Sequence, residues 1–265
     1  MSIPKVLTIA GSDPSGGAGI QADLKTFSAL GCYGMSVITA LTAQNTQGVQ
    51  GIHAVPAEFL AQQLTSIFED VPPDAIKIGM VGNGDNIKII AAILKKYEAK
   101  NVILDPVMVS TSGDDLIDKD AIEILKKELI PIVDLITPNK EEAFNLGCEG
   151  SKDLAKLGAR ASLLTGGDSN EPSAVDVLAT DHGAKAFEGR RIRTENTHGT
   201  GCTLSSAIAA YLAQGLSLQK AVGEAKTYVN EALKQADTLE VGAGRGPVHH
   251  FWDLWQEPQE EQSDE

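Results

Sequence analysis

The residues with the clearest chemical potential lie in the segment Asn-Thr-His-Gly-Thr-Gly-Cys, from Asn196 to Cys202, which precedes a long apolar helical pattern. The glycines beside Thr200 leave backbone N–H groups unshielded where the helix would begin, and such groups, with the helix dipole, bind anions. The same environment would lower the pKa of the Cys202 thiol and favour the thiolate. We expect Gly199, Thr200 and Gly201 to stabilise a transferring phosphoryl group while Cys202 accepts a proton from an alcohol. A glycine-rich turn with a buried structural cysteine is an equally open interpretation of this motif alone.

A second glycine-rich segment, Gly16–Gly19, leads into another helical pattern. Consecutive glycines let a ligand approach the backbone closely. Asp23 falls at about the first turn of this helix, where its carboxylate can accept a substrate hydroxyl proton or cap the helix. Taken alone, the position favours capping.

Acidic and amide side chains follow two further predicted strands. Asn139 and Glu142 can face one side of a helix start, where a carboxylate can hold Mg²⁺ through water. Their spacing also fits an asparagine cap with glutamate three positions later, which is the more common arrangement for such a pair. Asp105, before Pro106 at a strand end, either binds a metal or ends the strand.

The spacing of other motifs argues against several common site types. Gly11–Gly16 has the glycine spacing of a P-loop, but Gly17 and Ala18 stand where Lys and Ser or Thr are required. The sequence has no dinucleotide-binding G-x-G-x-x-G, no G-x-S-x-G nucleophile elbow and no H-x-x-x-H zinc pair. Its 3 cysteines are far apart and indicate neither a disulfide framework nor a cysteine zinc site.

Short apolar runs that alternate with longer helical patterns must position these residues. The sequence predicts strands at Lys5–Ala10, Met35–Ile38, Ala75–Ile78, Val102–Leu104, Leu135–Thr137, Ala161–Leu164 and Val175–Ala179. It predicts helices at Ile20–Leu30, Pro56–Glu69, Asn86–Tyr97, Lys119–Leu129, Lys140–Leu146, Thr203–Ala213 and Leu218–Ala236. This alternation indicates an α/β fold with a central, mainly parallel sheet flanked by helices. Val175–Ala179 and Lys185–Phe187 predict a hairpin at a sheet edge.

Ligands of such folds bind beyond the carboxyl ends of the strands, where this sequence is rich in Gly, Asp, Asn and Thr. The length of 265 residues, without a recognisable linker or repeat, predicts a single domain over residues 1–251. Residues 252–265 are acidic and rich in Glu and Gln, which predicts a disordered tail.

The net charge of −14, from 22 basic and 36 acidic residues, argues against nucleic acid or an anionic membrane as a partner. The first residues form only a short apolar run and then a polar, glycine-rich segment, which fits neither a signal peptide nor a membrane span. We therefore expect a cytoplasmic protein.

Several segments, taken together and in order, resemble the hydroxymethylpyrimidine/phosphomethylpyrimidine kinases of thiamine biosynthesis. They are Gly11–Val49, Lys77–Met80, Asp105–Met108, Thr137–Ala143, Asn196–Cys202 and Gln235–Phe251. The resemblance covers nearly the whole chain, and several distinct motifs in the right order are far more specific than any one of them.

The resemblance implies a ribokinase-like fold and an ATP- and Mg²⁺-dependent kinase. The reaction would move the γ-phosphoryl group to 4-amino-5-hydroxymethyl-2-methylpyrimidine, and a second transfer would convert the monophosphate to the diphosphate. It implies that Gly199–Gly201 form an anion hole and that Cys202 is the base, where relatives in the wider fold carry Asp. The implied pyrimidine-site residues are Gly11, Asp23, Gln44, Met80 and Val107.

In that site, the amide of Gln44 would match the donor and acceptor of the aminopyrimidine edge. The resemblance assigns Mg²⁺ to Glu142, with Asp105 as a further candidate. Relatives are often homodimers, so a homodimer is expected by analogy.

The sequence departs from the family pattern at Thr165 and Asp168, which stand where Lys and His are usual. A Lys there contacts nucleotide phosphates, and Arg193 is a candidate source of compensating charge. The segment between Gly147 and Gly158 is also shorter than the family pattern.

Two alternatives to this function remain open. A pyridoxal or pyridoxine kinase shares the fold and some motifs, although Gln44 favours an aminopyrimidine because a pyridine ring offers a different edge. A non-catalytic sensor of pyrimidines or nucleotides is suggested by Thr165 in place of Lys.

Overall fold

The computed structural model describes residues 2–110, 113, 116–166 and 173–255. Within these residues, nine strands form one sheet in the order β3-β2-β1-β4-β5-β6-β7-β8-β9. The strands are β1 (Lys5–Ser12), β2 (Tyr33–Asn45), β3 (Gly48–Ala54), β4 (Ala75–Ile78), β5 (Val102–Leu104), β6 (Leu135–Ile136), β7 (Ser162–Leu164), β8 (Ser173–Thr180) and β9 (Gly183–Arg190). The α-helices are α1 (Gly19–Ala29), α2 (Ala57–Asp70), α3 (Gly84–Lys96), α4 (Lys119–Ile124), α5 (Lys140–Asn145), α6 (Ser151–Leu154), α7 (Thr200–Ala213) and α8 (Leu218–Lys234).

The six consecutive strands from β2 to β7 in this order pair in parallel, which confirms the predicted mainly parallel sheet. The antiparallel pairs β2–β3 and β7–β8–β9 lie at the two ends of the sheet. The predicted edge hairpin is therefore present as β8 and β9. Its paired register runs from Ser173 opposite Arg190 to Thr180 opposite Gly183.

The largest difference from the sequence-based prediction is at β2 and β3. Strand β2 is far longer than the predicted Met35–Ile38, and β3 was not predicted at all. Most of β3 is exposed, so its side chains need no apolar alternation and it carries no strand signal. As a consequence, Gln44 lies in a strand and not in the loop after one.

Two predicted helices also differ from the structure by more than one or two residues at an end. Helix α7 begins at Thr200, three residues before the predicted start, so that Gly201 and Cys202 lie in its first turn. The predicted helix Lys119–Leu129 is present, but its second half, Leu125–Leu129, is π-helical.

The helices form a layer on each face of the sheet. Alternate strand residues such as Leu7 and Ile76 belong to the apolar core that includes α2 and α3. Their neighbours, such as Val6 and Ala75, belong to the core that includes α1, α7 and α8. Lys77 of β4 is an exception to this apolar pattern, since it is a charged residue whose side chain is fully buried.

The chain after α8 packs back onto the helices. The Tyr228 hydroxyl donates to the His250 carbonyl oxygen over 2.6 Å, and the Trp255 ring stacks on Phe251. Residues 252–255 continue this turn, and the tail predicted for residues 252–265 stays a prediction. The rest of the tail, residues 256–265, lies outside the described residues.

None of the helices in the described ranges is long and apolar enough to cross a membrane.

A substitution at Phe27 tests the packing of the helical layer formed by α1, α7 and α8. Its side chain is fully buried among α1, α7 and the sheet, so Phe27→Ala leaves a cavity and should lower the free energy of unfolding by about 3–5 kcal/mol. Urea denaturation measures the loss. The matched control is Phe144→Ala, where the side chain is 75% exposed and the change should stay within about 0.5 kcal/mol. Equal losses in the two variants would contradict the packing described.

Candidate active site

The carboxyl ends of β1, β4 and β5 bring three predicted segments to one edge of the sheet. A side chain on Gly11 would place its Cβ 2.8 Å from the Met80 sulfur, so the loops after β1 and β4 are in contact. A Cβ on Gly201 would lie 3.9 Å from the Asp105 carboxylate. The candidate pyrimidine-site residues Gly11 and Met80 therefore lie together, and Asp105 lies beside the candidate phosphoryl-binding turn.

The N-terminal turn of α7 has the geometry of an anion site. Gly199 is the N-cap in the left-handed region, with φ of 79°, and a Cβ there would lie 1.8 Å from the Gly17 carbonyl oxygen. Only glycine fits this position. The N–H groups of Gly201 and Cys202 lie in the first helical turn, where no intrahelical acceptor is available. Thr200 braces the turn, because both its N–H and its hydroxyl donate to the Thr197 carbonyl oxygen.

Asp13 organises the loop after β1. Its carboxylate accepts hydrogen bonds from the Ser15 N–H and hydroxyl and from the Ala18 N–H, over 2.7–2.9 Å. It also lies 2.8 Å from Nε2 of His198, the residue before the α7 turn. Burial raises the pKa of Asp13, but the hydrogen bonds with His198 and Ser15 outweigh it and leave the pKa lowered. The carboxylate is therefore ionised at neutral pH.

Asp23 lies beneath the site in a buried ion pair. Its carboxylate is fully buried and accepts from Lys77 Nζ at 2.9 and 3.1 Å, from the Thr8 hydroxyl at 2.5 Å and from the Ser206 hydroxyl at 2.7 Å. The expectation that Asp23 caps α1 is wrong, because the N-cap is Ala18 and Asp23 lies beyond the first turn. The geometry also encloses the carboxylate among protein donors, so it gives no support to direct contact with a pyrimidine.

The Cys202 thiol differs from the expectation as well. Burial raises its pKa to about 12, although Lys77 opposes the rise, and the charges of Asp23 and Asp105 add to it. The Gly19 N–H donates to the sulfur and favours the thiolate slightly. The predicted lowering of the pKa is therefore wrong for the free protein, because burial and two nearby carboxylates outweigh the helix N-terminus.

Asp105 is a buried carboxyl group. It is 4% exposed and accepts from the Ser205 hydroxyl at 3.0 Å. Burial raises the pKa of Asp105, and the opposing effects of Lys77 and Ser205 do not cancel the rise. A cation beside this carboxylate would offset the cost of burying its charge.

Glu142, the other candidate metal ligand, caps α5 together with Asn139. The Asn139 N–H donates to Glu142 Oε2 over 2.9 Å, and the Glu142 N–H donates to Asn139 Oδ1 over 2.8 Å. The capping alternative is therefore confirmed for this pair. No group of three or more His, Cys, Asp or Glu among the residues placed by the structure could hold a metal.

The other candidate residues that the structure describes lie at the same edge of the sheet. Gln44 Oε1 lies 3.1 Å from the Thr42 hydroxyl, which also donates to the Ser12 carbonyl oxygen at the end of β1. The Val107 N–H donates to the Asp105 carbonyl oxygen. Thr165 donates its N–H to the Pro138 carbonyl oxygen, and Asp168 lies outside the described residues.

An open pocket of about 640 Å³ adjoins the segment that leads into the α7 turn. Its lining residues are Arg193, Thr194, Glu195, Asn196, Asp237 and Gly244. Asn196 fixes one wall, because its side chain accepts from the Gly246 N–H and donates to Asp237. The volume lies within the range of small-ligand sites.

Sequence reasoning missed the buried side chains that hydrogen-bond to the candidate site residues and hold them in place. Lys77 carried a signal, since it is a single charged residue in the otherwise apolar strand Ala75–Ile78. Asp13 and His198 were inside the motifs but received no role. Ser205 and Ser206 carried no signal, because their partners come from distant parts of the chain.

The raised pKa of Cys202 has a direct chemical consequence in the free protein. Because the thiolate is the nucleophile, alkylation by iodoacetamide should be slow at neutral pH and should accelerate about tenfold per pH unit without a plateau below pH ~10. Mass spectrometry of the Cys202 peptide measures the rate, and Cys202→Ser provides the blank. A plateau below pH 8 would contradict the environment described.

Comparison with known proteins supports one family. The family model described as phosphomethylpyrimidine kinase matches residues 13–249. The hydroxymethylpyrimidine/phosphomethylpyrimidine kinase of Escherichia coli (strain K12) is 50% identical over 260 residues, covering 94% of this chain and 98% of that protein. The protein of the same name from Staphylococcus aureus (strain Mu50) is 41% identical, covering 94% of each chain.

Solved structures agree with this assignment. The phosphomethylpyrimidine kinase of Clostridium difficile 630 superposes with a TM-score of 0.77 at 44% identity, covering 87% of this chain and all of that one. An ADP complex of Bacillus subtilis pyridoxal kinase superposes with a TM-score of 0.87 at 36% identity, covering 94% and 98%. These neighbours confirm the ribokinase-like fold. With the family model matching most of the sequence and relatives that align over nearly their full length, the chain belongs to the phosphomethylpyrimidine kinase family.

Proposed function

We propose that the protein phosphorylates 4-amino-5-hydroxymethyl-2-methylpyrimidine with ATP, first to the monophosphate and then to the diphosphate, in thiamine biosynthesis. The observation that carries the proposal is the α7 turn, which places the N–H groups of Gly201 and Cys202 beside Asp105 and close to the loop after β1. The names of the relatives support it, since they are hydroxymethylpyrimidine/phosphomethylpyrimidine kinases.

The acceptor would bind at the ends of β1, β2 and β4. Gly11 has no side chain there, and a Cβ at this position would lie 2.8 Å from the Met80 sulfur, so Met80 packs against the Gly11 backbone and the two residues border the same space. Gln44 would pair with the aminopyrimidine edge through its amide, and Val107 would close the site from the loop after β5. Asp23 acts from below these residues by holding Lys77 in place.

The phosphoryl group would move across the α7 turn. The N–H groups of Gly201 and Cys202 lie ready for the negative charge of the transferring group and need no reorganisation during the reaction. Holding the hydroxymethyl oxygen in line with the γ-phosphorus is the other main contribution of the protein, because phosphoryl transfer involves little covalent chemistry by the enzyme.

Cys202 would accept the hydroxyl proton as a thiolate. In the free protein the high pKa of its thiol keeps the thiolate rare. Lys77 is the charge that favours the thiolate, while Asp23 and Asp105 oppose it. Cys202 would therefore act as a base only when the charges around Asp105 change and its thiol has lost the proton.

The chain offers hard oxygen ligands that suit Mg²⁺. Asp105 presents a buried carboxylate, and Glu142 presents a second carboxylate at the start of α5. When bound, Mg²⁺ would offset the charge of the ATP phosphates and the negative charge that Asp105 exerts on Cys202.

The nucleoside of ATP would occupy the pocket next to the α7 turn. Arg193 lines this pocket and would supply positive charge that Thr165 lacks. Use of ATP is supported by neighbouring structures in which pyridoxal kinases hold ADP or AMP-PCP.

A pyridoxal kinase activity is the second candidate. It is favoured by the TM-scores of 0.87 with pyridoxal kinases of Bacillus subtilis and Staphylococcus aureus. Competition between pyridoxal and the aminopyrimidine alcohol in one assay would rank the two substrates, and Gln44 predicts a preference for the aminopyrimidine. A homodimer stays a prediction from analogy.

Gly201→Val tests the phosphate-binding turn. A Cβ at this position meets no atom closer than 3.9 Å, so the variant should fold with an unchanged melting temperature. The larger side chain fills the space in front of the free N–H groups, and turnover should fall more than about 100-fold. The matched control is Gly150→Val, at an extended glycine with no atom within 4 Å of its Cβ, which should keep full activity. Wild-type turnover in Gly201→Val would contradict the assignment.

Product analysis tests the function itself. Phosphorus NMR of ATP with the aminopyrimidine alcohol should show the monophosphate first and then the diphosphate. Cys202→Ala should slow the first step by about 100-fold or more if its sulfur is the base. Cys148→Ala is the matched control, since this cysteine is buried beside α5 and should be dispensable. Absence of both products with the wild-type protein would exclude the proposed function.

A further inference from the structure

We propose that Asp13 and His198 form a positioning pair that sets the distance between the acceptor hydroxyl and the transferring phosphorus. The inference rests on the proposed function, because it concerns how the acceptor side and the phosphate side of that site are held together. Neither residue was assigned a role by its motif, and both are more than nine-tenths buried. Their contact joins chain segments that are 185 residues apart.

The two glycine-rich segments meet without any intervening side chain. A Cβ on Gly17 would lie 2.3 Å from the His198 ring, and a Cβ on Gly199 would lie 1.8 Å from the Gly17 carbonyl oxygen. The loop after β1 therefore lies directly against the entry to α7. Van der Waals contact alone limits how close the two backbones come, but it does not stop them from separating.

The Asp13 carboxylate supplies the attraction that prevents separation. It gathers Ser15 and Ala18 of its own loop and reaches across to His198 Nε2 at 2.8 Å. Its lowered pKa keeps it charged, and a hydrogen bond to a charged partner is stronger than a neutral one. The Asp13 side chain thus fixes the shape of the loop after β1 and links that loop to the α7 turn.

The opposite side of His198 is held by the backbone. Its N–H donates to the Gly246 carbonyl oxygen at 3.0 Å, and residue 198 forms a β-bridge with Pro247. Loss of the imidazole should therefore leave α7 and its turn folded. What it releases is the registration between the α7 turn and the loop after β1.

Loss of the contact between Asp13 and His198 should change kcat and not the KM values, because it separates the acceptor side of the site from the phosphate side without altering either. Acceptor and donor would each keep their own contacts, so both KM values should stay within about threefold. A misplacement of about 1 Å between the reacting atoms costs on the order of 100-fold in turnover. Some activated phosphoryl groups should then pass to water, so that ADP forms in excess of the phosphorylated pyrimidine.

The experiment compares His198→Leu, His198→Gln and Asp13→Asn with the wild-type protein. Leucine fills the space without a donor, whereas the glutamine amide can donate near the position of Nε2. We expect kcat to fall about 100-fold in His198→Leu and in Asp13→Asn, with excess ADP, and to recover at least tenfold in His198→Gln. Asp134→Asn is the matched control, because that carboxylate joins Val102 and Arg160 at the opposite end of the strands and its loss should leave kcat unchanged.

Three results would overturn the proposal. They are a kcat within twofold of wild type in His198→Leu, an equal fall of kcat in Asp134→Asn, or a fall of kcat/KM that comes from a raised KM with kcat unchanged. If the wild-type protein makes no phosphorylated pyrimidine, the proposed function fails and the pair is judged by hydrogen exchange. Faster exchange of the Ser15 and Ala18 amides in His198→Leu than in Asp134→Asn would then support the joint between the loops. Unchanged exchange would refute it.

Discussion

The buried ion pair between Lys77 and Asp23 is the interaction on which the site depends. It joins β4 to α1, and the hydroxyls of Thr8 and Ser206 extend it to β1 and α7. Four elements that meet at the carboxyl edge of the sheet are thereby fixed to one another by polar groups. A buried pair of this kind is costly to desolvate and contributes little net stability, but removing one partner strands a charge in the core. Its value here lies in geometry and in the electric field that it creates below the α7 turn.

That field explains why Cys202 differs from a cysteine at an ordinary helix N-terminus. Lys77 favours the thiolate, but its charge is largely satisfied by Asp23, while Asp105 contributes negative charge from the neighbouring strand. Burial then decides the balance in favour of the thiol. The carboxylates of Asp23 and Asp105 reinforce the effect of burial on Cys202. A cation bound beside Asp105, as the proposed function requires, would weaken that effect.

The sequence predicted the parallel core well because its strands are short, apolar and separated by amphipathic helices. Ala75–Ile78 and Val102–Leu104 match the observed strands in every residue. Strand β3 escaped prediction, since a strand with little buried surface has no apolar alternation to reveal it. The family resemblance supplied Gly11 and Met80 as site residues, and their positions agree with the rule that ligands bind at strand ends. The role of Asp23 did not follow from the sequence, because it lies beyond the first turn of α1 and its partner Lys77 is 54 residues away. The pKa of Cys202 depends on groups from three other elements, and local sequence contains none of that information.

The packed turn after α8 carries a consequence for how the fold is completed. His250 contacts the Thr203 hydroxyl, which bonds to the Gly199 carbonyl oxygen, and the Tyr228 hydroxyl bonds to the His250 backbone. The first turn of α7 is thus braced by residues that follow α8 in the chain. All the strands of the described residues precede α7. The sheet can therefore form without this brace, whereas the shape of the α7 turn depends on the segment after α8 having packed against it.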